Sequence, residues 1–303
     1  MREFFKKHTV IKVLAAVIIF ELLVNGIYYG LKFMGISFGT SNKSYLTKEV
    51  IIRFLPALII AVMFKTKDVL NPSKTSVKSF FKGMLSGGVF VAIIITGCMA
   101  ALIELLGEEG NTLKGPAEIL CFILFTLSIG YSEELICRGT ITELLLRKHG
   151  NSKKGIWFSV FISGAIFGVM HITNVFNGQP LDETLLQVVC NIMTGFYLGA
   201  IYARHRNIHV VAVLHGFLDA MTMLEMGLFR GHSIADIYTE TTDIHPLKSI
   251  MLHSIFLVCG MIILRSKKLT DITDREDTTN KSNSYSDTEC IIFSDVNQVN
   301  TLQ

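Results

Sequence analysis

Apolar residues fall into eight long runs along the chain, near residues 10–31, 50–64, 83–105, 117–136, 156–173, 185–203, 208–228 and 249–264. A helix needs about 20 mostly apolar residues to cross the hydrocarbon of a bilayer, and these runs reach or approach that length. The pattern therefore predicts an all-α fold, a polytopic transmembrane helical bundle of about eight spans. Beyond the last run, residues 266–303 are rich in Asp, Thr, Ser and Asn, with one short apolar patch at Ile291-Ile292-Phe293. Such a segment buries too little to offset its ordering entropy, and a disordered cytoplasmic tail is expected there.

The polar positions between the runs alternate in charge. Lys6, Lys7 and Lys12 stand at the start of the first run, and Lys65, Lys67, Lys74, Lys78 and Lys82 follow the second. Arg147, Lys148, Lys153 and Lys154 follow the fourth, Arg204 and Arg206 the sixth, and Arg265, Lys267 and Lys268 the eighth. The intervening connections, around Glu104, Glu108, Glu109 and Glu118, then Asp182 and Glu183, then Asp236, Glu240 and Asp243, are poorer in Lys and Arg. By the positive-inside rule, an even number of spans with both termini cytoplasmic satisfies this alternation; the first external loop, with Lys32, Lys43 and Lys48, fits it least well. A signal-peptide reading of the first run, invited by Lys6 and Lys7, meets a run that is long and lacks a small-residue cleavage site.

Composition agrees with the membrane reading. Of 303 residues, 50% are hydrophobic and 17% charged, with a mean hydropathy of +0.48, too apolar for an ordinary soluble domain. The net charge of +3 belongs to topology rather than to nucleic-acid binding, because no basic helix with interleaved aromatics is present. Membrane lipid is the expected surrounding partner. Cys98, Cys121, Cys137, Cys190 and Cys259 lie in apolar runs without CxxC spacing and read as small buried hydrophobes. The lipid-facing and partner-facing surfaces of such a bundle are equally apolar, so the pattern carries no oligomeric state.

Three of the runs carry ionisable groups where hydrocarbon makes them expensive. Glu133-Glu134-Leu135-Ile136-Cys137-Arg138 ends one, Phe167-Gly168-Val169-Met170-His171 closes the next, and His215-Gly216-Phe217-Leu218-Asp219 sits in the seventh. Successive residues on a helix are about 100° apart, so Glu134 and Arg138, at i,i+4, pair with one another while Glu133 turns to another face. Neutralising that pair within one helix lowers the cost of burying it and leaves Glu133 free to point into the bundle. His215 and Asp219 share a face, and Phe167 lies one turn before His171, where it can pack beside it. A water held between Glu133 and His171 could be deprotonated for attack on a carbonyl carbon, with His215 and a neighbour steadying the oxyanion. A lone intramembrane histidine often serves only as an interhelical hydrogen-bond partner, and a Glu–Arg pair as a clamp. Three spans that each bring such groups exceed what helix association requires. Gly130, Gly139, Gly164, Gly168, Gly195, Gly199 and Gly216 read as close-packing positions, and His149, His205, His209 and His232 as interfacial or solvated.

Glu133-Glu134-x-x-x-Arg138, Phe167-x-x-x-His171 and His215-x-x-x-Asp219, in this order on successive helices, resemble the three motifs of the CAAX protease and bacteriocin-processing family of intramembrane proteases. The span number extends the resemblance, to the type II CAAX prenyl endopeptidases, loosely over residues 1–265. The resemblance implies a catalytic core over 117–228; the apolar runs place N-terminal transmembrane helices over 1–116 and an external loop with the last helix over 229–265, and the tail over 266–303 lies outside the resemblance. It implies a cavity open to the cytoplasm with lateral access from lipid, and a prenylated or membrane-embedded peptide as substrate. By motif position, Glu133 and His171 would activate water, and His215 with Asp219 would support the oxyanion. Glu134, Arg138 and Phe167 would be structural support. The prenyl endopeptidases carry Asn where this chain has Asp219; an ionised Asp cannot donate to an oxyanion, so its role differs or it is protonated. No cofactor is expected. Were the reaction metal-dependent, Glu133, His171, His215 and Asp219 are the donors that would hold Zn²⁺, although no HExxH is present. The competing readings are a non-catalytic self-immunity or scaffold protein, and a proton-coupled carrier, which would show an inverted repeat that this chain lacks.

Overall fold

With no water in a bilayer to satisfy backbone groups, a chain this apolar folds into helices that bond internally. The computed structural model describes residues 8–71, 77–238 and 246–265, and among these no strand forms. The proposed tail, with Cys290, lies outside the described residues, as do Lys6, Lys7, Lys74, Glu240, Asp243, Lys267 and Lys268.

The helices are α1 Thr9–Phe33, α2 Asn42–Glu49, α3 Leu55–Met63, α4 Val77–Ser86, α5 Gly88–Gly107, α6 Pro116–Glu134, α7 Glu143–His149, α8 Lys153–Met170, α9 Leu181–His205, α10 Ile208–Thr222, α11 Leu224–Leu228 and α12 Pro246–Ile263. Two π-helical turns join neighbours into longer rods: Val50–Phe54 links α2 to α3, and Leu135–Thr142 links α6 to α7. Among the described residues six helical stretches are long and apolar enough to span: Thr9–Phe33, Gly88–Gly107, Pro116–His149, Lys153–Phe176, Leu181–His205 and Pro246–Ile263. The second predicted run is the interrupted α2–α3 rod, and the seventh is the shorter α10 followed by α11. The third is broken at Gly87, where α4 ends and α5 begins.

The connections sort to two ends. At one, Arg147 donates to the Lys65 carbonyl at 3.1 Å, Arg206 meets Glu143 at 2.7 Å and Tyr202 donates to Glu143 at 3.0 Å. The basic turns after α3, α7 and α9 therefore lie together. At the other end, Asn42 donates to the Glu118 and Gly227 carbonyls at 3.0 and 2.8 Å, and Lys114 donates to those of Met226 and His232 at 2.7 and 3.1 Å. This division is the one that the charge alternation predicts.

Helix crossings in the centre are set by glycine. A Cβ on Gly130 would strike the Ala212 carbonyl and the Gly216 amide, and one on Gly216 would come within 2.8 Å of the Leu127 Cα, so α6 and α10 touch backbone to backbone. Gly164 and Gly195 do the same for α8 and α9, the Cβ of one coming within 2.7 Å of the Phe196 amide. Small residues permit this approach, and it aligns the polar groups beside them. Outside it, Phe90, Tyr197 and Phe256 form an aromatic core joining α5, α9 and α12, with the Tyr197 and Phe256 rings stacked at 5.8 Å.

Candidate active site

The site forms where α6, α8 and α10 meet. Glu133 and Glu134 are the last residues of α6, one turn past the Gly130 crossing, and the π-helical turn follows at once. Such turns widen the helix and recur at functional positions. Here the Cys137 carbonyl, freed from the α pattern, accepts from Thr142 at 2.8 Å and from Ser163 of α8 at 2.9 Å. His171 caps the C-terminus of α8, and His215 stands beside the Gly216 contact in α10.

Arg138 is wholly buried and donates to Glu134 Oε1 and to the Gly195 carbonyl, each at 2.7 Å. The i,i+4 pair expected from spacing is present. Glu134 does more than this, because its Oε1 also receives His215 Nδ1 at 2.9 Å. A carboxylate can only accept, so His215 donates from Nδ1 and carries a proton on Nε2 when it is the imidazolium. Three carboxylates compensate that charge: Glu134, Glu133 Oε2 at 3.7 Å and Asp219 Oδ2 at 3.7 Å, the last two both facing Nε2. Asp219 Oδ2 is buried and has no hydrogen-bond partner among the described residues.

His171 Nδ1 lies 2.9 Å from the Phe167 carbonyl. A carbonyl too can only accept, so the Nδ1 proton is committed and the neutral ring offers the Nε2 lone pair. That nitrogen is 3.9 Å from Glu133 Oε2. Phe167 sits between the groups, its ring edge-on to His171 at 4.9 Å and to His215 at 5.4 Å, with the Arg138 guanidinium 4.7 Å from its centre. One aromatic side chain thus sets the spacing of both imidazoles.

The remaining oxygen of Glu133 is taken by a residue that spacing gave no reason to single out. Arg53, in the first π-helical turn, donates to Glu133 Oε1 at 2.7 Å. Glu133 thus points into the bundle, as expected, and meets a cation that arrives from the α2–α3 rod. Glu49 belongs to the same group, 4.0 Å from Arg53 Nε and accepting from Ser132 at 2.8 Å. The only signal for either was an Arg inside an apolar run with a Glu one turn before it. His205 and His209 stand half-buried at the ends of α9 and α10, each with an interhelical hydrogen bond, to Ser86 at 2.7 Å and to Tyr131 at 2.9 Å.

Counted from the basic end, His171 lies about 27 Å along α8 and His215 about 10 Å along α10. About half of that difference is taken up where Arg206 and Tyr202 pin the α9–α10 turn beside Glu143, about 9 Å inside the His149 end. Among the described residues no group of three or more His, Cys, Asp or Glu is arranged to hold a metal ion.

Residues 115–221 match the family described as type II CAAX prenyl endopeptidase Rce1-like. The matched stretch starts just before α6, ends within α10 and contains all three motifs, in agreement with the resemblance they carry. Glu49 and Arg53 lie outside it. No curated protein matches the chain.

Proposed function

Taking that family match as premise, we propose that this protein is an intramembrane endopeptidase that hydrolyses a peptide bond near the C-terminus of a prenylated or membrane-embedded protein. The observation that carries the proposal is the meeting of Glu133 Oε2 with the Nε2 atoms of His171 and His215, at 3.9 and 3.7 Å, inside an apolar bundle. Both separations exceed a direct hydrogen bond and suit one bridging water.

A water that donates one hydrogen to Glu133 Oε2 and the other to His171 Nε2 keeps a lone pair for the scissile carbonyl carbon. As the C–O bond forms, the carbonyl π pair moves onto its oxygen and the water proton passes to Glu133. The His215 imidazolium donates from Nε2 to the oxyanion, held in orientation by Glu134. Collapse restores the carbonyl and breaks the C–N bond, and the leaving amine takes the proton back from Glu133. Asp219 adds a third carboxylate around His215. Glu134, Arg138 and Phe167 hold the two imidazoles in place.

The reaction is proposed without a metal. A glutamate that takes the water proton and returns it to the leaving amine accounts for the same four groups without a Lewis acid, and the chain has no HExxH. The gathering of the basic turns at one end supports a cytoplasmic placement of that end and of both termini.

The test is cleavage of prenylated and unprenylated peptides by purified protein in detergent, wild type beside Glu133→Ala, with and without a chelator. Cleavage lost in the variant and insensitive to chelator is the expected result. Equal rates for the two proteins would remove Glu133 from the chemistry, and chelator-sensitive cleavage would require a metal.

A further inference from the structure

Resting on the endopeptidase reading, we propose that Arg53 is a positioning residue for the reaction, holding the Glu133 carboxylate so that Oε2 alone faces the attacking water. A glutamate carboxylate turns easily about its last torsion, whose wells are broad. Here one oxygen is fixed by a charge-assisted bond of 2.7 Å from Arg53. The other is then directed to His171 and His215, 3.9 and 3.7 Å away. Without that anchor, Glu133 is free to close the gap and pair directly with the His215 imidazolium. The space for a bridging water would be lost.

The anchor is itself held. Arg53 Nε lies 4.0 Å from Glu49 Oε1, and the same oxygen accepts from Ser132 at 2.8 Å, the residue before Glu133. Arg53, Glu133, Ser132 and Glu49 thus form a closed ring that latches the α2–α3 rod to the end of α6. An arginine inside an apolar run is expensive, and a π-helical turn in that rod carries this one. Arg53 bonds the Glu133 oxygen that faces away from the proposed water, so its action is through Glu133.

The experiment uses the full chain in detergent and a prenylated peptide with a free C-terminal carboxylate, comparing wild type, Arg53→Gln, Arg53→Lys and Glu133→Ala. Misplacing a reacting group costs up to about 100-fold, so kcat for Arg53→Gln is expected to fall about 10- to 100-fold with KM unchanged. Arg53→Lys should recover part of that loss, since an ammonium restores charge without the planar fork; it also serves as the test variant if Arg53→Gln does not fold. A rise in KM with kcat retained would overturn the proposal and make Arg53 a contact for the substrate. Unchanged kinetics would overturn it too.

A second readout does not need turnover. Treatment with a hydrophobic carbodiimide, followed by peptide mapping, measures how freely Glu133 reacts. Faster modification of Glu133 in Arg53→Gln than in wild type is expected, and equal rates would sever the proposed link. If wild type cleaves no peptide, or Glu133→Ala cleaves as fast as wild type, the endopeptidase reading fails, while the mapping still decides whether Arg53 holds Glu133.

Discussion

In the stretch Pro116–His149 and in α9, 56% of the most apolar window is buried, against 17% in α1, α5 and α12. The buried stretches carry glycines, the Glu134–Arg138 pair and the groups around His215. The outer helices turn Leu22, Ile103 and Met251 outward at 67%, 70% and 62% exposure. A soluble protein would do the reverse. Lipid tails solvate leucine as well as a neighbouring helix does, so association favours small residues that let backbones meet and polar groups that need partners. The inner helices of this bundle are therefore recognisable by paired charges and contacting glycines within their apolar pattern; the outer ones also carry polar residues, Glu21 in α1 among them, but turn more of their apolar surface outward.

The contrast is broken most forcefully by removing chemistry from the inner set. Glu133→Ala should lower the cleavage rate by about 10²- to 10⁴-fold, the usual contribution of a general base, whereas Glu104→Ala on the outer helix α5 should leave it unchanged. Initial rates on one peptide compare the two directly.

Stability separates the regions next. Arg138→Ala would leave the wholly buried Glu134 side chain to His215 alone and empty the space of a wholly buried arginine, at a cost of up to about 3–5 kcal/mol. The comparison is Arg147→Ala, whose side chain is 35% exposed and whose partner Glu143 keeps Arg206 and Tyr202; it should cost about 1 kcal/mol or less. Thermal unfolding in detergent reads both, and similar losses would mean that burial does not distinguish these pairs.

Glycine sharpens the same point at smaller scale. Gly130→Ala places a methyl against the backbone of α10, and should cost about 1–3 kcal/mol and slow cleavage by spreading Glu133 from His215. Gly26→Ala in α1 meets nothing within 4 Å and should be neutral or stabilise by up to about 1 kcal/mol. The smallest expected effect is Asp219→Asn, which should retain most activity because an amide can donate where a carboxylate cannot. Near-total loss of cleavage would instead require the negative charge beside His215.

The three motifs were legible in the sequence because their internal contacts are local. Glu134 and Arg138 are four residues apart, as are Phe167 and His171, so helical periodicity alone sets them side by side. The Arg53–Glu133 bond spans 80 residues, and no periodicity relates an arginine in one apolar run to a glutamate in another. The double duty of Glu134 was hidden for the same reason, since its bond to His215 joins residues 81 apart. Span counting met a related limit: hydropathy averages over about a turn or more of helix and does not register the break at Gly87 or the π-helical turns.

By itself the sequence determined the all-α membrane bundle, the sorting of its connections to two ends and the residues of the three motifs. Each of these follows from the cost of polar groups in hydrocarbon, a cost that residues incur one at a time or within one helix. Only the tertiary structure decided which oxygen of Glu133 is held and which is left facing the histidines. That choice depends on how closely α6 approaches α10 and the α2–α3 rod, and such approach is fixed by glycine contacts and paired charges between helices that sequence order leaves far apart.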